Sequence, residues 1–98
     1  MFKLVFTEKA NKQYFDIIDN PAKRGLAKQV DKTLEFLKTN PRHPSLHTHK
    51  NEKLSSLHQQ PVFQAYVHNY TPGAYRIFFT YSAKNEITIT SIEVHPDD

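Results

Sequence analysis

The sequence has no cysteine and only two glycines among its 98 residues. Without cysteine the chain can form no disulfide bond and has no thiolate chemistry, a composition that fits a reducing compartment. Two glycines are too few for a glycine-rich phosphate loop or for the strained turn that carries a hydrolase nucleophile. These absences exclude the corresponding classes of nucleotide-binding protein and enzyme.

Long apolar runs are also missing. No stretch approaches the roughly 18 residues that a membrane-spanning helix needs, and no basic, apolar and small-residue pattern typical of a signal peptide is present. We find no repeat and no low-complexity tract. We therefore expect one domain over residues 1–98, located in the cytoplasm.

The charge balance is mildly basic. Lys and Arg number 13 and Asp and Glu 10, which leaves a net charge of +3 and a pI near 9.2. This balance favours an acidic partner, either nucleic acid or an acidic protein. The six histidines are an unusual number, and all except His95 lie between His43 and His68.

The first half of the chain predicts one strand and two helices. Residues 2–6 alternate in polarity as a strand does, and Thr7 is a suitable N-cap for the helix that follows. Asn20 and Pro21 end that helix and begin a second one, which Asn40 and Pro41 end in turn. Apolar stripes at helical spacing support both helices, the first formed by Ala10, Tyr14, Ile17 and Ile18, and the second by Leu26, Ala27, Val30, Leu34 and Leu37.

A long segment from Pro41 to Pro61 separates the helices from three further strands. We expect this segment to be a loop without structure of its own, a kind of connection that is often functional. The predicted strands cover residues 62–70, 73–81 and 86–95, with a Thr-Pro-Gly turn between the first two. A bulge near Thr90 and Ser91 would keep the apolar residues of the last strand on one face, with Glu93 and His95 on the other.

This order predicts an α+β domain, β-α-α-β-β-β, in which a two-helix hairpin packs on a mainly antiparallel four-stranded sheet. In the middle strand of the last three, the side chains divide between two faces. Tyr75, Ile77, Phe79 and Tyr81 share one face, and Ala74, Arg76, Phe78 and Thr80 share the other.

Arg76 is the first candidate for chemistry, because it interrupts an otherwise apolar strand. A buried guanidinium needs a partner or an open surface, and its forked donors suit a phosphate group. It could offset charge that develops in a transition state. The alternative is a structural ion pair with Glu93 or with a helix carboxylate.

Histidines are the second group of candidates. RNA cleavage without a metal needs a base for the 2′-hydroxyl, a cation for the phosphorane and an acid for the leaving oxygen. Arg76 and His95 fit the cation and the acid. The base is left open among His43, His47, His49 and His68, with His43 and His49 ranked first, and Lys50 and Lys53 are expected to contact phosphate.

His47 and His49 also raise a metal hypothesis, since two histidines at i and i+2 can share one ion on an extended segment. No third ligand follows at a recognisable spacing, so the pattern is weak. We expect no metal site.

The stretch AYRIFFTY…EITITSIEVH and the order of elements resemble the RelE/ParE superfamily of bacterial toxins. The most specific match is Tyr75-Arg76 within an apolar strand, followed by the histidine-bearing end, Glu-Val-His-Pro. The segment HPSL…KL resembles the family's lead-in to the sheet, although the usual glycine is missing.

The resemblance implies a toxin of the RelE-like branch that cuts messenger RNA in the ribosomal A site by 2′-hydroxyl attack, without a cofactor. It implies a cognate antitoxin that wraps the toxin and blocks its site, with higher-order toxin–antitoxin complexes. By position, Arg76 matches the phosphate-binding arginine, His95 the terminal acid, and His43 lies near the place of the base. The RNA-binding residues expected around them are His49, Lys50, Lys53 and His68.

Two alternatives use the same fold. A ParE-like toxin would inhibit gyrase and cut nothing, and it would not need His95. A non-catalytic module that only binds its antitoxin would suit the mild net charge.

Overall fold

The structure is a computed structural model that describes residues 1–68 and 74–94, and these form the α+β fold that the sequence predicts. Both predicted helices and all four predicted strands are present. The elements in chain order are β1 (Lys3–Phe6), α1 (Glu8–Ile18), α2 (Arg24–Thr39), β2 (His49–Lys50), α3 (Glu52–His58), β3 (Phe63–Tyr66), β4 (Tyr75–Ala83) and β5 (Glu86–Val94).

The described strands form a five-stranded sheet in the order β1-β5-β4-β3-β2. The pair β1–β5 is parallel and the other pairs are antiparallel, so the mainly antiparallel prediction is confirmed. The added strand, β2, has only two residues, and it pairs His49 with Gln64 and Lys50 with Phe63. Two residues are too short a stretch to show an alternating pattern in the sequence.

Thr7 caps α1 as predicted, since its hydroxyl oxygen accepts a hydrogen bond from the N–H of Ala10 at 3.1 Å. Ala10 and Ile17 of the predicted stripe are buried, whereas Ile18 is exposed and does not belong to the buried face. Gln13, in the middle of α1, accepts a hydrogen bond from the backbone N–H of Ile92 at 2.8 Å and so ties the helix to β5.

The second helix begins later than predicted. Asn20 accepts a hydrogen bond from the N–H of Ala22 at 2.9 Å and caps a 3-10 turn, Pro21–Lys23, which precedes α2. Val30, Leu34 and Leu37 of the predicted stripe are buried. The helix ends at Thr39, just before Asn40 and Pro41.

The segment from Pro41 to Pro61 is not the unstructured loop that the sequence predicts. It contains a 3-10 turn, Pro44–Leu46, as well as β2 and α3. Asn51 caps α3 by accepting a hydrogen bond from the N–H of Leu54 at 2.9 Å, and the left-handed residue Gln59 ends it. Seven residues with only two leucines carry too little helical pattern for the prediction, although the cap itself is recognisable.

The bulge predicted near Thr90 is confirmed, because Phe78 pairs with Ser91 while Phe79 pairs with Ile89. The bulge keeps Ile87, Ile89 and Ile92 on the same face of the sheet. The buried apolar side chains of the sheet then meet α1 and α2 on one face, namely Ala65, Val67, Ile77, Phe79, Ile87, Ile89 and Ile92. Arg76 and Glu93 pair in register on the opposite face. The predicted turn at residues 71–73 and His95 lie outside the described residues.

In the part of the chain that the structure describes, no helix has both the length and the apolar character needed to cross a membrane.

Candidate functional site

Arg76 lies on the face of the sheet turned away from α1 and α2, where β4 pairs with both β3 and β5. Its side chain is only 2% exposed. The guanidinium donates a hydrogen bond from Nη1 to the carbonyl oxygen of Ala74 at 2.9 Å. The Cζ atom lies 3.9 Å from the centre of the Tyr66 ring, a cation–π contact from the directly opposite residue of β3.

Tyr66 connects Arg76 to two of the candidate histidines. The ring centres of His47 and His49 lie 5.8 and 5.9 Å from that of Tyr66. Sequence reasoning did not single out Tyr66, although an aromatic residue on the strand before Arg76 was a visible signal. Its position opposite Arg76 depends on a strand register that the pattern of the sequence does not reveal.

The hydrogen bonds of His49 and His43 distinguish the two histidines that sequence reasoning ranked together. The Nδ1 atom of His49 lies 3.0 Å from the carbonyl oxygen of His47 and must donate to it, which leaves Nε2 as an acceptor in the neutral ring. The Nδ1 atom of His43 accepts from the N–H of Ser45 at 3.1 Å, so its Nε2 carries the proton. His49 therefore has the tautomer of a base and His43 that of a donor.

His43 also packs against a different element. Its ring centre lies 4.3 Å from that of Phe36 on α2, so the ring packs against the helix hairpin. His47, by contrast, stands in the left-handed conformation at φ 48°, where the 3-10 turn ends and the chain enters β2. That turn brings His47 and His49 to the Tyr66 ring.

The remaining candidates surround this array more loosely. His68 is half-buried and lines a groove of about 310 Å³ together with Tyr66 and Lys32. Lys50 is exposed, with its Nζ atom 3.9 Å from a carboxylate oxygen of Glu52, and Lys53 is exposed on α3. His95, the candidate acid, lies outside the described residues.

Glu93 was the alternative partner for Arg76, and it does lie opposite Arg76 in the register. Its carboxylate forms a salt bridge with Lys9 of α1, with 3.2 Å between Nζ and Oε2. Partial burial pushes the pKa of Glu93 upward, but the contacts with Lys9 and Ser91 outweigh it and hold the pKa below the ordinary value. Glu93 is therefore an ionised residue at the edge of the site near neutral pH.

A second groove, of about 430 Å³, shares His47 and His49 with the array. Its lining residues are Arg42, His43, Pro44, His47, Thr48, His49, Phe63 and Tyr81. Within residues 1–68 and 74–94 no three His, Cys, Asp or Glu side chains come close enough to hold a metal ion. The array and the groove thus combine imidazoles, guanidinium groups and aromatic rings, a set that suits phosphate and nucleobases.

Solved structures share this fold over nearly the whole chain. The chain matches a heterotetrameric YoeB–YefM toxin–antitoxin complex from Staphylococcus aureus with a TM-score of 0.69 and 19% identity, covering 97% of this chain and 98% of that one. It matches a YoeB/ParE toxin from Agrobacterium tumefaciens with a TM-score of 0.71 and 10% identity, covering 96% and 99%. A metal-bound toxin from Helicobacter pylori gives a TM-score of 0.70 and 14% identity, covering 99% and 98%.

The fold is therefore the one found in YoeB and ParE toxins, as the resemblance to the RelE/ParE superfamily implied. No family model and no curated protein matches the sequence. At these identities the likeness establishes the architecture, and the activity has to be argued from the side chains of this chain.

Proposed function

We propose that this protein is the toxin of a type II toxin–antitoxin pair and that it cleaves messenger RNA on the ribosome without a metal ion. The fold shared with YoeB in its complex with YefM supports the toxin role and a cognate antitoxin as partner. The array Arg76–Tyr66–His49 carries the proposed activity, because it brings a guanidinium and a base-type imidazole to one aromatic ring.

In the proposed mechanism the Nε2 atom of His49 takes the proton of the 2′-hydroxyl group, and the oxygen attacks the neighbouring phosphorus. Arg76 offsets the negative charge that develops on the phosphorane oxygens. The bond to the 5′-oxygen then breaks, which leaves a 2′,3′-cyclic phosphate and a 5′-hydroxyl end. The acid that protonates the leaving oxygen is His95, a role that rests on the resemblance alone.

The other candidates are assigned to binding. His43 carries its proton on Nε2, so it donates to a phosphate oxygen and does not act as the base. Lys50 and Lys53 are exposed cations that would contact the RNA backbone, and His68 with Lys32 would extend this surface.

A second candidate function follows from the burial of Arg76. A guanidinium that is 2% exposed, bonded to Ala74 and stacked on Tyr66, has contacts that stabilise a fold without any role in catalysis. In that case the chain is a ParE-like toxin that inhibits gyrase, or a non-catalytic module that binds an antitoxin. The Agrobacterium tumefaciens neighbour described as a YoeB/ParE toxin is consistent with this candidate.

The test is inducible expression of the wild-type chain, His49→Gln and Arg76→Lys, with growth and transcript ends followed together. We expect growth arrest and new 5′-hydroxyl ends in ribosome-bound messages for the wild type. Loss of a base costs roughly 10² to 10⁴ in rate, and loss of a charge-stabilising donor roughly 10² to 10³. His58→Gln, an exposed histidine on α3 outside the array, is the matched control and should cleave normally.

Each other outcome selects a different function. Growth arrest with intact messages would reject the nuclease and support gyrase inhibition, which supercoiling by purified gyrase would then measure. Continued growth at full expression would reject both toxin activities and support the antitoxin-binding module. Protein that has been purified with a chelator and returned to chelator-free buffer should still cleave on ribosomes, and loss of cleavage would reject the metal-free mechanism.

A further inference from the structure

The groove of about 430 Å³ between the segment 42–49 and the ends of β3 and β4 has the composition of a ligand site. Ligand pockets in proteins commonly measure roughly 300–1,000 Å³. The described residues that line this groove include aromatic rings, imidazoles and a guanidinium, and neither Asp nor Glu is among them. The lining therefore favours a ligand that is both flat and anionic.

Tyr81 supplies an aromatic surface at one end of the groove. It is 41% exposed, although it lies within β4. Its ring meets Phe63 at 5.2 Å with an interplanar angle of 73° and Phe79 at 5.7 Å with an angle of 80°. These two edge-on contacts fix the orientation of the ring while a large part of it stays accessible, so that a planar group can stack on it.

Arg42 and His43 supply the polar end. The backbone N–H of Arg42 donates to the side chain of Asn40 at 3.1 Å, which fixes the turn after α2, and the Arg42 side chain is exposed. The ring of His43 is held by Phe36 and by the N–H of Ser45, so its Nε2–H donor has a fixed direction. A guanidinium and an N–H donor beside each other suit a phosphate group.

We propose that this groove binds one nucleotide of single-stranded RNA, with the base stacked on Tyr81 and its phosphate held by Arg42 and His43. Base stacking on exposed aromatic rings beside cations is the usual way in which proteins hold unpaired nucleotides. His47 and His49 line the groove and their rings also contact Tyr66, so these two histidines connect the groove, on the face of Phe63 and Tyr81, with the array around Arg76 on the opposite face of the sheet. The choice of RNA as the polymer rests on the proposed function.

In this proposal the groove is a specificity subsite, which RNA reaches from the point of cleavage by passing around the edge strand β2. A nucleotide near the scissile phosphate would occupy it, and the identity of the base would influence which bonds are cut. Neither Arg42 nor Tyr81 takes part in proton transfer in this scheme, so their loss should change binding and sequence preference more than the chemical step.

The binding test uses the purified full chain with a hexameric single-stranded RNA, a 5′-mononucleotide and ribose 5-phosphate, measured by isothermal titration calorimetry. Tyr81→Leu keeps an apolar side chain but removes the ring, and it should weaken hexamer binding by about 5- to 150-fold, as the loss of one base–aromatic stack does. It should leave the weak binding of ribose 5-phosphate unchanged. Arg42→Gln should weaken the binding of all three ligands.

Two matched controls remove similar groups elsewhere. Phe15→Leu removes a ring that is 48% exposed on α1, and Arg24→Gln removes an exposed guanidinium at the start of α2. Both should bind the hexamer like the wild type. If the controls weaken binding as much as the groove variants do, or if Tyr81→Leu and Arg42→Gln bind normally, the groove is not the site. A mononucleotide that binds as tightly as the hexamer would show a free-nucleotide site and overturn the RNA assignment.

Cleavage maps separate this inference from the proposed function. Tyr81→Leu should shift the distribution of bases beside the new transcript ends. If the wild type cuts messages and the variant cuts the same positions equally well, the groove inference fails and the nuclease remains. If the groove variants lose hexamer binding in a chain that cuts no message, the nuclease fails and the nucleotide site remains.

Discussion

The two faces of the sheet bury different kinds of side chain. The face under α1 and α2 buries apolar residues, among them Ile77, Phe79 and Ile89. The opposite face also buries polar residues, which are Gln64, Arg76, Thr80 and Ser91. Burial of a polar group is costly unless a partner compensates for it, so this second face needs fixed contacts that the first does not.

Those contacts explain why the candidate site lies on the second face. Gln64 accepts a hydrogen bond from Asn51, the cap of α3, at 2.8 Å, and Arg76 is bonded to Ala74 and stacked on Tyr66. Gln64 and Arg76 are therefore each held in one orientation. The comparison suggests that the helix-covered face supplies stability and the opposite face supplies positioned chemical groups.

The strongest test of this difference between the two faces is to truncate neighbouring residues whose side chains lie on opposite faces. Phe79→Ala removes a fully buried ring from the helix-covered face, and such changes cost about 3–5 kcal/mol. Thr80→Ala, on the polar face, should cost only about 1 kcal/mol, because it removes fewer buried atoms. Urea unfolding of both variants measures the difference. Equal costs would mean that the two faces contribute alike to stability.

A buried hydrogen bond on the polar face gives the next largest effect. Gln64→Leu should cost about 1–3 kcal/mol in urea unfolding, because the side-chain amide of Asn51 loses the oxygen to which it donates. Gln60→Leu makes the same change at an exposed position and should be nearly neutral. A neutral Gln64→Leu would show that water replaces the lost oxygen and that this face is less enclosed than its burial indicates.

The contact of the Tyr66 ring with Arg76 should contribute less to the free energy of unfolding. Tyr66→Leu should cost about 0.5–2 kcal/mol of unfolding free energy, the range for a cation–π contact from the surface to a desolvated site. Tyr66→Phe keeps the ring and should recover most of this loss. If the phenylalanine and leucine variants are equally stable, the ring is not what holds the guanidinium, and the array around Arg76 loses its basis.

The sequence was sufficient for the helix-covered face, because its order depends on periodicity. Alternation in β4 specifies which side chains share the helix-covered face, and the stripe of Val30, Leu34 and Leu37 specifies the buried side of α2. The phase change in β5 requires the bulge at Thr90. These features repeat over many residues, so a single misread position does not alter the conclusion. The fold class followed from them.

The polar face was only partly predictable, because its order depends on single contacts between distant residues. Arg76 was recognisable as a charge in an apolar strand, but Tyr66 became a site residue only through the register of β3 against β4. Similarly, α3 depends on the Asn51 cap and on Ser55, whose hydroxyl oxygen accepts from the N–H of Val62 at 2.8 Å. No local pattern predicts these pairs. The hydrogen bonds of His43 and His49, on which the choice of the base depends, join residues only two positions apart but are likewise visible only in the structure.

The smallest predicted effect concerns a polar contact outside the sheet, between Tyr14 of α1 and Asp31 of α2. The Tyr14 hydroxyl donates to the Asp31 carboxylate at 2.7 Å, and burial, followed by this hydrogen bond, raises the pKa of Tyr14 from 10.0 to about 12. Because the contact is largely exposed, Tyr14→Phe should cost less than about 1 kcal/mol at neutral pH. This loss is smaller than the one expected for Gln64→Leu, as the comparison of buried and exposed polar pairs requires.

The contribution of the Tyr14–Asp31 contact to stability can be recognised by its dependence on pH. The folded state favours the protonated phenol, so the stabilisation is complete below pH 10.0 and is lost as the pH rises through 10.0 to about 12. The difference in unfolding free energy between wild type and Tyr14→Phe should therefore stay constant up to about pH 10 and shrink above it. Asp31→Asn retains an acceptor without the charge and should lower the pKa of Tyr14 measured by its ultraviolet absorbance. An unchanged pKa in that variant would mean that burial alone raises it and that the exposed pair contributes nothing.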